Sequence, residues 1–119
     1  MELPINQAVL AGETLYIGGV VSTDYNENVL EKGNFSGQVK VVIKKLVDIL
    51  NSANMTLDNL VFVNMYISKM SFLEELNDLY AILIPEPYPA RKVLEIKFTI
   101  NDIMVELTAI ASLKKKVIT

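Results

Sequence analysis

Apolar residues recur along this chain with two different periods, and the switches between them divide it into elements. Residues 7–11 and 14–21 (TLYIGGVV) flank a Gly-Glu pair, which predicts a short strand, a tight turn and a second strand. STDYNENVLEKGNFS then reads as a polar loop rich in turn formers. From about 36 to 52, Val39, Val42, Ile43, Leu46, Ile49 and Leu50 fall at helical spacing, with Lys40, Lys44, Lys45 and Asp48 largely elsewhere around the turn. LVFVNMYIS at 60–68 is apolar at nearly every position, which predicts a third strand covered on both faces. Ser71 with Glu74 makes a capping box that opens a second helix carrying Leu73, Leu76, Leu79, Tyr80 and Leu83. Pro85, Pro87 and Pro89 end that helix and prevent another. Two further strands are expected at about 91–98 and 104–113, joined through IND. The order β-β-α-β-α-β-β predicts an α+β fold: a mixed sheet with two helices on one face. Its other face, also apolar, calls for cover that a chain this short does not supply, so association with further copies is expected.

The length of 119 residues suits one domain spanning 1–119. No apolar run reaches the ~20 residues that span a bilayer, and the opening MELPINQAV is acidic and broken by Pro4, unlike a signal or transit peptide. Cysteine is absent, which points to a cytoplasmic setting. Net charge is −3, so nucleic acid is not expected as a partner, and the lysines of LKKKV at 113–117 read as a solvated tail. With neither histidine nor cysteine, the chain lacks the usual zinc ligands and the Ser-His-Asp and Cys-His nucleophile systems. Any catalysis must run on carboxylates, Arg, Lys, Tyr, hydroxyls and backbone groups.

Two charged residues stand on otherwise apolar strands. Arg91 heads the β-branched run of PYPARKVLEI, where a guanidinium needs an anion, either a protein carboxylate or a small carboxylate ligand. Glu106 interrupts MVELTAIA, with Val105 and Leu107 pointing to the opposite face; it should pair, hold a proton, or work on a substrate. If the last two strands form a hairpin about Phe98 and Thr99, Arg91 and Glu106 lie opposite each other. If it turns about Asn101 and Asp102, they are offset by ~16 Å along the strands and meet only across a subunit boundary, or not at all. TDYNENVLEKGNF begins like a calcium loop at Asp24, Asn26 and Asn28, but Val29 replaces the glycine and Phe35 the closing glutamate, so a plain loop is expected. The tripeptides NFS and NMT carry no weight as glycosylation sites without a secretory signal.

YPARKVLEI and VELTAIA resemble the two closing motifs of the RidA (YjgF) family of imine deaminases, also called endoribonuclease L-PSP or translation inhibitor. NQAVLAGETLYIGG resembles that family's opening hairpin, QVKVVIKKLVDILNSANMTLDNLV its first helix, and MYISKMSFLEELNDLY its third strand and second helix. The resemblance implies a chorismate-mutase-like homotrimer with pockets at subunit interfaces. It implies hydrolysis of 2-aminoacrylate and related 2-imino acids to 2-keto acids and ammonia, with no metal or organic cofactor. It makes Arg91 the carboxylate clamp and Glu106 the residue that activates water, with backbone groups at Val93 and the side chain of Asn77 beside the pocket. The family's tyrosine is Ile5 in PINQA, and the serine and glutamine of its SGQ turn are Gly18 and Val20, so this pocket is expected to be more apolar. A trimer that binds 2-keto acids without turnover is the alternative, and a ribonuclease the third; the absence of histidine and the acidic balance weigh against the last.

Overall fold

The computed structural model describes residues 3–119; Met1 and Glu2 of the acidic opening lie outside them. Strands β1 (Ala8–Ala11) and β2 (Thr14–Val21) are followed by helix α1 (Phe35–Ser52) and strand β3 (Leu60–Ile67). Helix α2 (Leu73–Leu83) and strands β4 (Ala90–Glu95) and β5 (Val105–Ser112) complete the order read from the periodicity.

One sheet runs β1-β2-β5-β3-β4. All its pairs are antiparallel except β3–β4, which a crossover through α2 makes parallel. The expected hairpin between the last two strands does not form: β5 lies between β2 and β3, and β3 separates it from β4. The local pattern specifies which residues share a face of a strand, but neither alternative turn had allowed for a third strand in between.

Alternate residues of the sheet build the core. Leu15, Ile17 and Val20 of β2, Val63, Met65 and Ile67 of β3, and Val105, Leu107 and Ala109 of β5 are all buried. They form one cluster with Val39, Val42, Leu46 and Leu50 of α1 and Leu76 and Tyr80 of α2. Each fully buried aliphatic side chain contributes about 1.5–3 kcal/mol, enough to hold both helices on one face against their β-branched composition. On the opposite face Tyr16, Phe62 and Leu94 stay 50%, 36% and 39% exposed. β3 is therefore covered on one face only within the chain.

α1 starts at Asn34, whose side chain accepts from the Gly37 amide at 3.0 Å. The Ser71–Glu74 capping box does not form: α2 begins at Leu73 after a 3-10 turn, with no side-chain cap. A carboxylate oxygen of Glu95 on β4 accepts from the Met70 amide instead, so the tertiary partner replaces the local one. Gln38 is fully buried in α1 and ties it to the segment that leads into β5. Its amide donates to Asp102 O at 2.8 Å and Glu31 O at 3.3 Å, and its carbonyl accepts from Met104 N at 2.9 Å.

Candidate functional site

Arg91 sits on β4, the edge strand, and points to the helix face. Its guanidinium lies 4.7 Å from the centre of the Tyr80 ring and donates to Asn77 Oδ1 at 2.6 Å. Asn77 and Tyr80 are three residues apart on α2 and so present a joint platform. Among the described residues no carboxylate pairs with Arg91; the ion pairs are Lys44–Asp48 and Lys114–Glu13. Asn77, Tyr80, Ala81, Tyr88, Pro89 and Arg91 line an open cavity of about 290 Å³. The Tyr80 hydroxyl is buried with no hydrogen-bond partner among the described residues, and burial pushes its phenol up to about 12. Val93 is two residues along β4 on the same face, its side chain packed against the core. Because β4 has a neighbour on one side only, half of its backbone groups face away from the sheet.

Glu106 faces the other way. Val105 and Leu107 on either side of it enter the helix-side core, which turns its carboxylate onto the open face of the sheet. It lies opposite Val21 on β2 and Tyr66 on β3. Burial there holds its carboxyl above the usual 4.5. Between Ile17 and Val20 the β2–β5 register slips, so Gly18 and Gly19 together oppose Thr108 in a bulge. A Cβ on Gly19 would collide with the Glu106 carboxylate, whereas one on Gly18 would make an ordinary contact of 3.4 Å with Gln7 O. Gln7 braces the bulge, its side chain donating to Gly18 O at 3.2 Å and Gly19 O at 3.1 Å while its carbonyl accepts from Gly18 N at 2.8 Å. Ile5, just before it, is 73% exposed. Val20 is fully buried on the helix side and takes no part in this surface.

The expected residues thus fall into two groups. Arg91, Val93 and Asn77 gather at the β4–α2 edge; Glu106 and Gly18 gather on the open face, with Ile5 at its margin. Val63 pairs with both Arg91 and Ala109, which places Glu106 two strands (~10 Å) across and three residues (~10 Å) along, on the opposite face. One chain therefore does not bring the two charges together, and neither neutralises the other.

Gly19, Gln7, Tyr80 and Tyr88 were not singled out from sequence. The signal for Gly19 was present, since paired glycines within a strand mark a bulge or a close approach. Tyr80 read as core because it shares the apolar stripe of α2. The supposed calcium loop is a turn in which Asp24 Oδ1 accepts from the amides of Asn26 and Asn28, both at 2.9 Å. No cluster of three potential metal-ligating side chains occurs among the described residues. The lysine run is not simply a solvated tail: Lys115 Nζ donates to Pro87 O at 2.8 Å, and Lys114 pairs with Glu13 at 3.3 Å.

Comparison with known proteins bears on the family and the fold. A RutC family protein of Pyrococcus horikoshii is 31% identical over 91% of this chain and 86% of its own length. The 3-aminoacrylate deaminase RutC of Acinetobacter baylyi is 25% identical over the same shares. Among solved structures, RidA from an Antarctic Psychrobacter superposes with a TM-score of 0.85 at 27% identity, covering 92% of this chain and 89% of that one. Yeast Mmf1 superposes with a TM-score of 0.86 at 25% identity, covering 96% and 90%. The model of the family described as Endoribonuclease L-PSP matches residues 2–113; the chain belongs to that family, the YjgF/RidA family.

Proposed function

We propose that the protein is a homotrimeric deaminase that hydrolyses 2-aminoacrylate and related 2-imino acids to 2-keto acids and ammonia. The observation that carries this is a guanidinium without a protein anion among the described residues, aimed by an aromatic ring and an amide into a small open cavity. Its planar fork fits a carboxylate in two parallel hydrogen bonds. Glu106, separated from it by the sheet within one chain, supplies the second half of the site from a neighbouring copy whose open face packs against the β4–α2 edge. The RutC relative named a 3-aminoacrylate deaminase supports the reaction class.

The chemistry follows from these groups. The bound carboxylate fixes the adjacent C=N carbon beside a water held by Glu106, and this proximity removes much of the entropic barrier. Glu106 takes a proton from water as the water oxygen bonds to the imine carbon, and passes that proton to the nitrogen, which gives a neutral carbinolamine and leaves Glu106 a carboxylate again. The carbinolamine then collapses: the C–N bond breaks, the carbonyl forms, and the hydroxyl proton returns through Glu106 to the departing ammonia. Edge-strand backbone groups at Val93 serve the carboxylate; Gly18 and Ile5 add no side-chain hydrogen bond near Glu106, whose cross-strand neighbour with a hydroxyl is Tyr66. A cytoplasmic setting belongs to the same proposal. No helix among the described residues is long and apolar enough to cross a membrane.

Imino acids generated in situ by an amino acid oxidase provide the assay. Accelerated ammonia release is expected, and Arg91→Ala should reduce it by about 100-fold, the value of two charge-assisted hydrogen bonds worth ~3 kcal/mol together. Wild-type protein that accelerates none of the imino acids rejects the enzymatic reading. The alternative, a non-catalytic trimer that binds 2-keto acids, draws support from the bare Gly18 surface; calorimetric binding of pyruvate without turnover would establish it.

A further inference from the structure

We infer that Tyr88 determines which acids the Arg91 site admits, acting as a partition between two cavities; this rests on the proposed reading of Arg91 as a carboxylate clamp. The Arg91 cavity of about 290 Å³ is bounded on one side by Tyr88 and Pro89. The same two residues bound a second cavity of about 480 Å³, whose remaining walls are Val61, Ala90 and the segment after β5 from Lys115 to Thr119. Pro89 is rigid, so the ring of Tyr88 is the removable part of the wall.

The ring is well placed for that task. Its segment is stiffened by Pro87 and Pro89, and Lys115 holds the Pro87 carbonyl at 2.8 Å. The ring itself stands 6.4 Å from the Tyr80 ring, tilted by 40°. Tyr80 in turn carries the Arg91 guanidinium. Tyr88 therefore walls one side of the open cavity that the clamp faces. It is 43% exposed, so truncation opens the wall to solvent and the neighbouring cavity and leaves the core intact. An acid anchored at Arg91 has room for a short side chain; a longer one meets the phenol ring. Without the ring, the side chain continues along Pro89 beside Val61, Ala90, Val117 and Ile118, in a cavity that Lys115 and Lys116 also line. Each methylene so buried gains about fourfold in affinity.

Calorimetry with unbranched 2-keto acids from pyruvate to 2-oxooctanoate tests this on the intact protein. In Tyr88→Ala the preference for 2-oxooctanoate over pyruvate should rise at least tenfold relative to wild type, with pyruvate affinity within twofold. Tyr88→Leu should fall between them, and Tyr88→Phe should match wild type. An unchanged ratio in Tyr88→Ala, with binding still abolished by Arg91→Ala, overturns the partition and leaves the clamp standing. Wild-type protein that binds no keto acid, or binding that survives Arg91→Ala, overturns the clamp and the partition with it.

Discussion

Gly19 is bare because its neighbour occupies the space a side chain would need. Its Cβ direction points at the end of the Glu106 side chain, not at backbone, so Gly19→Ala should fold with a melting temperature within a few degrees of wild type. The carboxylate must then swing aside, and a misplacement on the order of 1 Å is expected to lower deamination by about 100-fold. Calorimetric melting and ammonia release, measured together, separate those effects. Glu106 itself carries a pH signature. Burial raises its folded pKa, so the folded state holds that proton more tightly than the unfolded chain. Below the usual 4.5 its burial has no electrostatic cost; stability falls as pH rises from there through the folded value and stays reduced above it. Glu106→Gln should therefore raise the melting temperature at pH 7 more than at pH 4, while removing about 10²–10⁴ of the rate. Arg91 and Glu106 were legible in the sequence because charge on an apolar strand needs a reason. The glycine pair signalled a bulge, but not which side chain fills the space at Gly19, since that depends on the register between β2 and β5.

Among the elements, periodicity carried the order of strands and helices, and it placed Val105 and Leu107 on one face and Glu106 on the other. It did not carry adjacency. β5 comes last in the chain yet inserts beside β2, which disposes of both hairpins drawn from the sequence and of any contact between Arg91 and Glu106 within one chain. The capping box at Ser71 failed for a related reason, because Glu95 arrives from β4 to serve the same helix end. Gln38 shows how such long-range order is enforced: one buried amide satisfies two carbonyls and one N–H from the segments flanking the sheet. Gln38→Leu would orphan Asp102 O and Met104 N, at about 1–3 kcal/mol each when buried, while Glu31 O keeps the Asn34 amide at 3.0 Å. The expected result is a melting temperature lower by ~10 °C or more, together with faster amide exchange at Met104. A shift below ~2 °C would show that the clamp is dispensable.

For the molecule as a whole, the separation of the Arg91 and Glu106 groups makes a specific demand on assembly. If the site forms between copies, Arg91→Ala and Glu106→Ala are each inactive alone, yet mixed trimers contain junctions with both wild-type residues. Random reassembly of equal amounts around a closed ring of head-to-tail contacts leaves about a quarter of the junctions intact. Co-refolded variants should therefore recover about that fraction of wild-type ammonia release; no recovery would place the whole site within one chain. The open face of the sheet, with Tyr16, Phe62 and Leu94 unshielded, then has a meaning beyond cohesion. A subunit diluted below the dissociation constant of the assembly keeps both of its half-equipped surfaces, but has nothing to react with. Specific activity would then depend steeply on how much of the protein a cell makes, and expression level alone would act as a threshold.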